Sequence, residues 1–387
     1  MQTPPGAALG LALSLWLIAG GDGANVDAGR EPQTGRKVDV ARLDVRGRKL
    51  TRIRTLAASG GRTDWSAARN LIAFDRLGDD GYYDLFVMVP GGGGERCLTC
   101  GADGVPQGHN GNPAWHPSGD YLVFQSESQP ARRGLLGRRG GRTQQHLGNP
   151  GSGFRNDLWI TGPRGQRFVQ LTHVGPQGAV LHPHFSEDGR TLAWAERLGS
   201  GNGPMGEWAI MLADFGVEDS RPRLENVRKF QPGGRRRFYE THGFFPDGKS
   251  LLFAGNPDRQ TDYGFDIYRF YPATGQLTNL TNTPDEWDEH AQLSPDGSRI
   301  VWMSSEGVGV KDLSLTSVKS DYWMMRADGS NKERITWFND PSAPEFLGSD
   351  WVVAADSAWS PDGKRLLVYV KTDKATNSGP LLMIEIE

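Results

Sequence analysis

Apolar and polar positions follow a repeated unit along the chain. A large apolar residue precedes a turn of the Ser-Pro-Asp-Gly type, and a run of apolar and β-branched residues follows it, most clearly at 293–297 and 359–363. Proline presets the first corner of such a turn, Asp caps it, and Gly adopts the positive φ, while the flanking residues favour strands. Each copy therefore predicts a β-hairpin. The apolar residues that open the six copies are Trp65, Trp115, Phe185, Phe244, Leu293 and Trp359.

Two further strands are predicted after each hairpin. The third usually opens with an acid, as at Asp157, Asp266 and Asp321, and the fourth ends in Leu-Thr or Ile-Thr. Such a four-stranded unit cannot bury its faces alone, whereas radial packing of the units buries both. We predict an all-β fold, a six-bladed β-propeller of four-stranded antiparallel blades. The last repeat lacks a fourth strand, and the segment from Val38 to Leu56 is predicted to close the ring with one or two strands.

This repeat resembles that of TolB-type propellers. The resemblance lies in Ser-Pro-Asp-Gly before an apolar strand, with Asp-Ile-Tyr and Leu-Thr later in the unit, and it covers roughly residues 38–387. It implies the same propeller fold for this chain.

The N-terminus predicts export. The apolar run from Ala7 to Gly20 is too short to span a bilayer, and small residues follow it. We interpret residues 1–28 as a signal peptide and residues 29–387 as the propeller domain. A periplasmic or secreted protein without a transmembrane segment is expected.

Composition narrows the functional classes. The 387 residues include 52 Gly and 24 Pro, which suits short strands joined by tight turns, and the net charge of -3 gives no general attraction to nucleic acid. The sequence contains no Gly-x-Ser-x-Gly motif, which would have indicated a serine hydrolase.

Cys97 and Cys100 are the only cysteines and form a candidate disulfide. Two residues three positions apart on an extended strand are about 10 Å apart, which exceeds disulfide reach. A disulfide here therefore requires a turn.

The histidines suggest a site on one face. We aligned the copies on the Asp of the Pro-Asp-Gly turn. His182, His290 and Asp356 then share the position six residues before this Asp, and His184 and Gln292 share the position four residues before it. His242 lies five residues before the Asp of its own copy. These positions lie where first strands begin, at one mouth of the central channel, and the large insertions between second and third strands return to the same face. Glu240 and Glu289 lie next to these histidines in the sequence. The candidate metal ligands are His184, His242 and His290, because neutral imidazoles combined with a carboxylate or amide can bind a divalent cation.

An arginine-rich loop, Ala131 to Arg142, contains Arg132 and Arg133 as candidate ligand-binding residues. Arginine pairs bidentately with carboxylates, so an acidic sugar, phosphate or acidic protein is the expected ligand.

Two functions follow from these features. The leading hypothesis is a binding module for an envelope or extracellular protein or for an anionic glycan. The alternative is a metal-dependent carbohydrate-active enzyme, similar in type to oligogalacturonate lyases, which are propellers that hold a divalent metal with histidines and a glutamine. A divalent metal is the only cofactor that the sequence suggests.

Overall fold

The computed structural model describes residues 50–128, 148–199, 206–235, 237–258, 263–309, 317–349, 351–374 and 378–386. Within these ranges the chain forms 24 strands, arranged as six antiparallel sheets of four strands each. The predicted all-β, six-bladed propeller is confirmed. The predicted signal peptide at 1–28 and the loop residues Arg132 and Arg133 lie outside the described residues.

The blades follow one another along the chain. Blade 1 consists of β2 (Thr63–Ser66), β3 (Leu71–Leu77), β4 (Tyr83–Met88) and β5 (Arg96–Cys97); blade 2 of β6 (Asn110–Trp115), β7 (Leu122–Glu127), β8 (Asn156–Thr161) and β9 (Phe168–Gln170); and blade 3 of β10 (Ala179–Phe185), β11 (Thr191–Gly199), β12 (Glu207–Glu218) and β13 (Arg221–Phe230). Blade 4 consists of β14 (Tyr239–Phe244), β15 (Leu251–Gly255), β16 (Asp266–Tyr271) and β17 (Gln276–Asn279), and blade 5 of β18 (Asp288–Leu293), β19 (Arg299–Ser304), β20 (Asp321–Arg326) and β21 (Glu333–Arg334). Blade 6 consists of β22 (Val353–Trp359), β23 (Arg365–Lys371), β24 (Gly379–Ile386) and the N-terminal strand β1 (Leu50–Gly60).

Blade 6 closes the ring with strands from both ends of the described chain. β1 pairs antiparallel with β24, and Ile53 lies opposite Ile384. The first strands of neighbouring blades contact one another around the circle, including β22 and β2. Closure by an N-terminal strand is therefore confirmed, although this strand begins at Leu50 and extends four residues beyond the predicted end at Leu56; residues 38–49 lie outside the described ranges.

The predicted turns connect the first and second strands of the blades. Gly297 and Gly363 both have a φ of 68°, a region that Gly adopts at no steric cost. The apolar residues after each turn are buried between blades: Ile300 and Trp302 of blade 5 pack with Leu252 and Ile267 of blade 4. Burying a large aliphatic side chain stabilises the fold by about 1.5–3 kcal/mol. Packing between blades thus supplies the core that a single sheet lacks.

The acids that open third strands form clamps within their own blades. Asp266 accepts hydrogen bonds from the Thr281 hydroxyl (2.8 Å) and from the backbone N–H of Thr283 (2.7 Å), and the Thr281 hydroxyl oxygen accepts the N–H of Ile267 (3.0 Å). The same arrangement occurs at Asp321 with Thr336. These bonds join the third strand to the Leu-Thr or Ile-Thr ending and to the connection that leads into the next blade.

Candidate functional site at the channel mouth

A β-bulge in the first strand directs polar side chains toward the channel axis. In β10 the pairing with β11 shifts by one residue between Leu181 and His184, and β18 shifts in the same way between Glu289 and Gln292. His182 and His290 have positive φ values of 47° and 52°. Non-glycine residues rarely adopt this conformation, and such outliers cluster at functional sites.

The aligned position contains more polar residues than the sequence analysis identified. Asn112 of blade 2 has a φ of 52° on a bulge of the same type. In the eroded first repeat, Ala68 replaces the turn Asp, and Arg62 lies six residues before it. Both residues are buried. The histidine column therefore continues into blades 1 and 2 as an arginine and an asparagine.

Three imidazoles from three consecutive blades surround one carboxylate oxygen. The ring centroids of His182, His242 and His290 are 5.4–6.1 Å apart. Glu240 Oε1 lies 3.2 Å from His182 Nε2, 3.6 Å from His290 Nδ1 and 3.7 Å from His242 Nε2. We call these four residues the imidazole cluster.

Two further carboxylates lie beside the imidazole cluster. Asp356 Oδ1 is 3.4 Å from His290 Nδ1 and 3.7 Å from His182 Nδ1, while its Oδ2 is 3.7 Å from Arg62 Nε. Glu289 Oε2 lies 3.9 Å from His290 Nε2. Imidazoles, carboxylates and a guanidinium thus form one buried polar network.

The remaining predicted site residues lie nearby in different roles. His184 is half-buried, and its ligand atom lies within 4.8 Å of those of His182 and His242. Gln292 is half-buried, and its backbone carbonyl accepts a hydrogen bond from the indole of Trp359 (3.3 Å). His182, which the sequence analysis did not include among the metal ligands, is a member of both groups of potential ligands around the channel.

Burial controls the protonation of His182, His242 and Glu240. It lowers the pKa of His182 and His242 well below the usual value, and it lowers the pKa of His184 to about 4. Burial, followed by repulsion from Glu289 and Asp356, raises the pKa of Glu240 well above its usual value. These shifts favour neutral imidazoles, the form that coordinates metals.

Asp356 is the acid that keeps its charge. Burial alone would raise its pKa, but His290, His182 and Arg62 outweigh burial and hold the pKa well below the usual value. The network therefore contains one stabilised carboxylate beside the histidines.

A pocket with a volume of about 60 Å³ opens above the imidazole cluster, space for several water molecules or a small ligand group. One wall is aromatic, because Trp208, Phe238, Phe265 and Trp287 follow one another with ring centroids 5.1–5.4 Å apart, and all but Phe265 line the pocket. The lining residues are Arg62, Tyr83, Asn149, Gly151, Ser152, Leu181, His182, Trp208, Phe238, Glu240, Trp287, Glu289, His290, Tyr369 and Lys371.

Two buried cations line the same pocket, and neither was predicted from the sequence. Arg62 is 8% exposed and Lys371, the last residue of β23, is 4% exposed. Burial, followed by repulsion from Arg62, lowers the pKa of Lys371 to about 8, so it remains largely protonated at pH 7. Asn149, Gly151 and Ser152 come from the insertion of blade 2, as expected for a loop that returns to this face.

Other histidines lie away from the imidazole cluster. His109 is buried, and its Nδ1 accepts the N–H of Tyr83 (3.2 Å). His173 is exposed and lies beside Gln170. A position in the connection that leads into a first strand therefore predicts on which face of the propeller a histidine lies. It does not predict whether the side chain reaches the axis.

The cysteine pair lies outside this site. Cys97 ends β5, and Cys100 follows across a turn, with Cα atoms 5.8 Å apart and a disulfide between the sulfurs. This is the turn that a disulfide between these two residues requires.

Comparisons with known proteins give a sequence relative and similar solved structures. The chain is 35% identical over 237 residues to an uncharacterized protein of Agrobacterium fabrum; this match covers 59% of the chain and 61% of the relative. Its structure is similar to TolB from Acinetobacter baumannii, with 15% identity, a TM-score of 0.48 and coverage of 85% and 64% of the two chains. It is also similar to a puromycin-hydrolyzing peptidase of Mycobacterium tuberculosis, with 12% identity, a TM-score of 0.49 and coverage of 82% and 50%. No family model matches the chain.

The blades and the site define the class of this protein. It is a six-bladed β-propeller with a buried histidine–carboxylate network at the axis. The match to the Agrobacterium relative spans less than two thirds of that protein's length. In the part of the chain that the structure describes, no helix has the length and apolar character needed to cross a membrane.

Proposed function

We propose that the protein is an exported binding module that binds an anionic glycan in the pocket at the channel mouth. The observation that carries this proposal is that two buried cations, Arg62 and Lys371, line one pocket with an aromatic wall. Ligand pockets typically combine aromatic walls with a few polar groups that fix the orientation of the ligand. The apolar face of a sugar ring fits against the indoles, while a carboxylate pairs with the cations.

The protonation of the pocket favours an anion. Lys371, with a pKa of about 8, is largely charged at neutral pH, and burial raises the pKa of both Glu240 and Glu289, which reduces the negative charge around it. A uronate is therefore a better ligand than a neutral sugar.

The shape of the pocket favours a glycan over a protein partner. Its volume of about 60 Å³ accommodates a group of small size. A stable protein complex buries about 800 Å² on each partner. The pocket could admit one side chain of a protein, but its aromatic wall and its two cations together match the ring and the carboxylate of a uronate.

Isothermal titration calorimetry with oligogalacturonate tests this function. We expect the wild-type protein to bind oligogalacturonate and to bind its methyl ester at least about 10-fold more weakly, because the ester lacks the charge. Lys371→Ala should lose at least about 10-fold in affinity for the acid, since a charge-assisted hydrogen bond contributes about 1.5–3 kcal/mol. The exposed Lys249→Ala is the matched control and should bind like the wild type. Equal affinity for acid and ester, or no effect of Lys371→Ala, would contradict the proposal.

A second candidate is a metal-dependent lyase, and the imidazole cluster next to the two cations favours it. A divalent metal there would draw charge from a uronate carboxylate, while a base would remove the adjacent proton and the glycosidic C–O bond would break, its oxygen leaving with the other sugar. Release of unsaturated product from oligogalacturonate, followed by its ultraviolet absorbance, would identify this activity. Binding without product formation would exclude the lyase and support the binding module.

A further inference from the structure

We propose that His182, His242, His290 and Glu240 bind one divalent transition-metal ion at the propeller axis. Three blades supply the ligands, so the ion would join blades 3, 4 and 5. This inference rests on the geometry of the imidazole cluster and holds whichever ligand enters the pocket.

The distances from Glu240 Oε1 to the three imidazole nitrogens are close to those of a tetrahedral site. The potential ligand atoms around it form two groups within 4.8 Å, His182–Glu240–His290 and His182–His184–His242. Bonds of 2.0–2.1 Å at tetrahedral angles place ligand atoms about 3.3 Å apart. The three imidazole nitrogens lie 3.2, 3.6 and 3.7 Å from Glu240 Oε1. The same geometry places imidazole centroids about 5–5.5 Å apart, and those of the cluster are 5.4–6.1 Å apart.

Several of the donor atoms make no hydrogen bond. Among the described residues, neither ring nitrogen of His242, nor His290 Nδ1, nor Glu240 Oε1 makes a hydrogen bond. His242 is 2% exposed and Glu240 is 4% exposed. A buried polar group without a partner costs about 1–3 kcal/mol, and a bound cation would satisfy these atoms together.

Carboxylates support the far side of two of the imidazoles. His182 presents Nε2 to Glu240 and Nδ1 to Asp356 at 3.7 Å. His290 presents Nε2 to Glu289 at 3.9 Å, while its Nδ1 faces both Glu240 at 3.6 Å and Asp356 at 3.4 Å. Histidines that bind metals almost always interact through the second nitrogen with a carboxylate, carbonyl or water, which fixes the ring.

The donor types select the ion. Three imidazoles and one carboxylate suit zinc and neighbouring transition metals, whereas calcium and magnesium prefer oxygen ligands. His184, with its ligand atom within 4.8 Å of His182 and His242, could provide a fifth donor. The ligand set therefore differs from the sequence prediction by including His182 and Glu240.

Zinc binding to the full chain, purified through a histidine-free tag, tests the site. After chelation and reloading, we expect one zinc per chain by mass spectrometry for the wild type and for the exposed control His173→Gln. His182→Gln and Glu240→Gln should each lower the affinity for zinc at least about 100-fold in a chelator competition. This loss exceeds the typical effect of losing a residue that only supports a ligand. Wild-type protein without stoichiometric zinc, or variants with wild-type affinity, would overturn the inference.

A second measurement does not depend on the folding of the variants. The X-ray absorption spectrum of zinc-loaded wild-type protein should contain multiple-scattering signals of three imidazoles. One imidazole or none would place the ion elsewhere and overturn the site. The result is separate from glycan binding, because Lys371→Ala should retain its zinc even if it loses oligogalacturonate.

Discussion

Arg62 balances the acids of the channel. Burial opposes its charge, but Asp356 and Asp75 outweigh burial and raise its pKa. Asp75 accepts the backbone N–H of Arg62 at 3.1 Å and that of Asn112 at 2.8 Å, so it joins the first strands of blades 1 and 2. Removing one partner from such a buried network leaves an uncompensated group, which is strongly destabilising.

Asp75 should give the folded protein a specific pH dependence. Burial raises its pKa from 3.8 to about 6. The folded state therefore binds more protons than the unfolded state between these values, and the contribution to stability, complete below pH 3.8, is lost as the pH rises through about 6. A shift of about two units corresponds to about 3 kcal/mol.

Asp75→Asn tests this pH dependence. Urea unfolding of the wild type and the variant between pH 4 and 7 should give a stability difference that changes by about 3 kcal/mol. The Asn side chain has one hydrogen-bond acceptor fewer than Asp, which lowers the free energy of unfolding of the variant equally at every pH. Parallel curves for the two proteins would show that Asp75 titrates normally.

At this scale the sequence predicts part of the site. The column that contains His182 and His290 follows from the turn alignment because both lie in well-preserved repeats. Arg62 lies in the eroded first repeat, where an alanine replaces the turn Asp and hides the correspondence. Lys371 lies at the far end of a second strand, and only blade packing determines whether its side chain reaches the channel.

At the scale of elements, the bulged first strand creates the site and the clamp on the third strand supports it. The Asp266–Thr281 clamp satisfies the N–H of Ile267, where a short fourth strand leaves the ladder incomplete. The Asp and Thr of each clamp are visible in the sequence as the repeated third-strand acid and the Leu-Thr ending. The bulge is not visible in the sequence, because His182 and His290 sit in ordinary strand patterns that do not indicate a positive φ.

Thr281→Val should destabilise blade 4. Valine has the shape of threonine, but it leaves the Ile267 N–H without an acceptor and removes one of the donors to Asp266, which costs about 1–3 kcal/mol. Thr278→Val, on the exposed side of β17, is the matched control and should change stability by less than about 0.5 kcal/mol. Equal effects of the two substitutions in chemical denaturation would show that the clamp contributes nothing.

At the scale of the whole molecule, ring closure brings the site together. Its donors come from blades 3, 4 and 5, and its cations come from blades 1 and 6. These blades keep their positions only while β1 holds β24 in the last sheet. The sequence predicts this closure because the sixth repeat lacks a fourth strand, but it does not fix the register.

Ile53→Ala should weaken the closure. Ile53 is 3% exposed, lies opposite Ile384 and packs in the main core, so its truncation should cost about 2–5 kcal/mol. Because β1 and β24 are the first and last strands of the described residues and pair only at this seam within them, we expect amide exchange to accelerate first in β1 and β24 and later in the inner blades. Arg52→Ala on the same strand removes an exposed side chain and should leave exchange unchanged. Uniform acceleration in all six blades would instead mean that the propeller opens as one cooperative unit, and that β1 is an ordinary strand rather than the element that holds the ring closed.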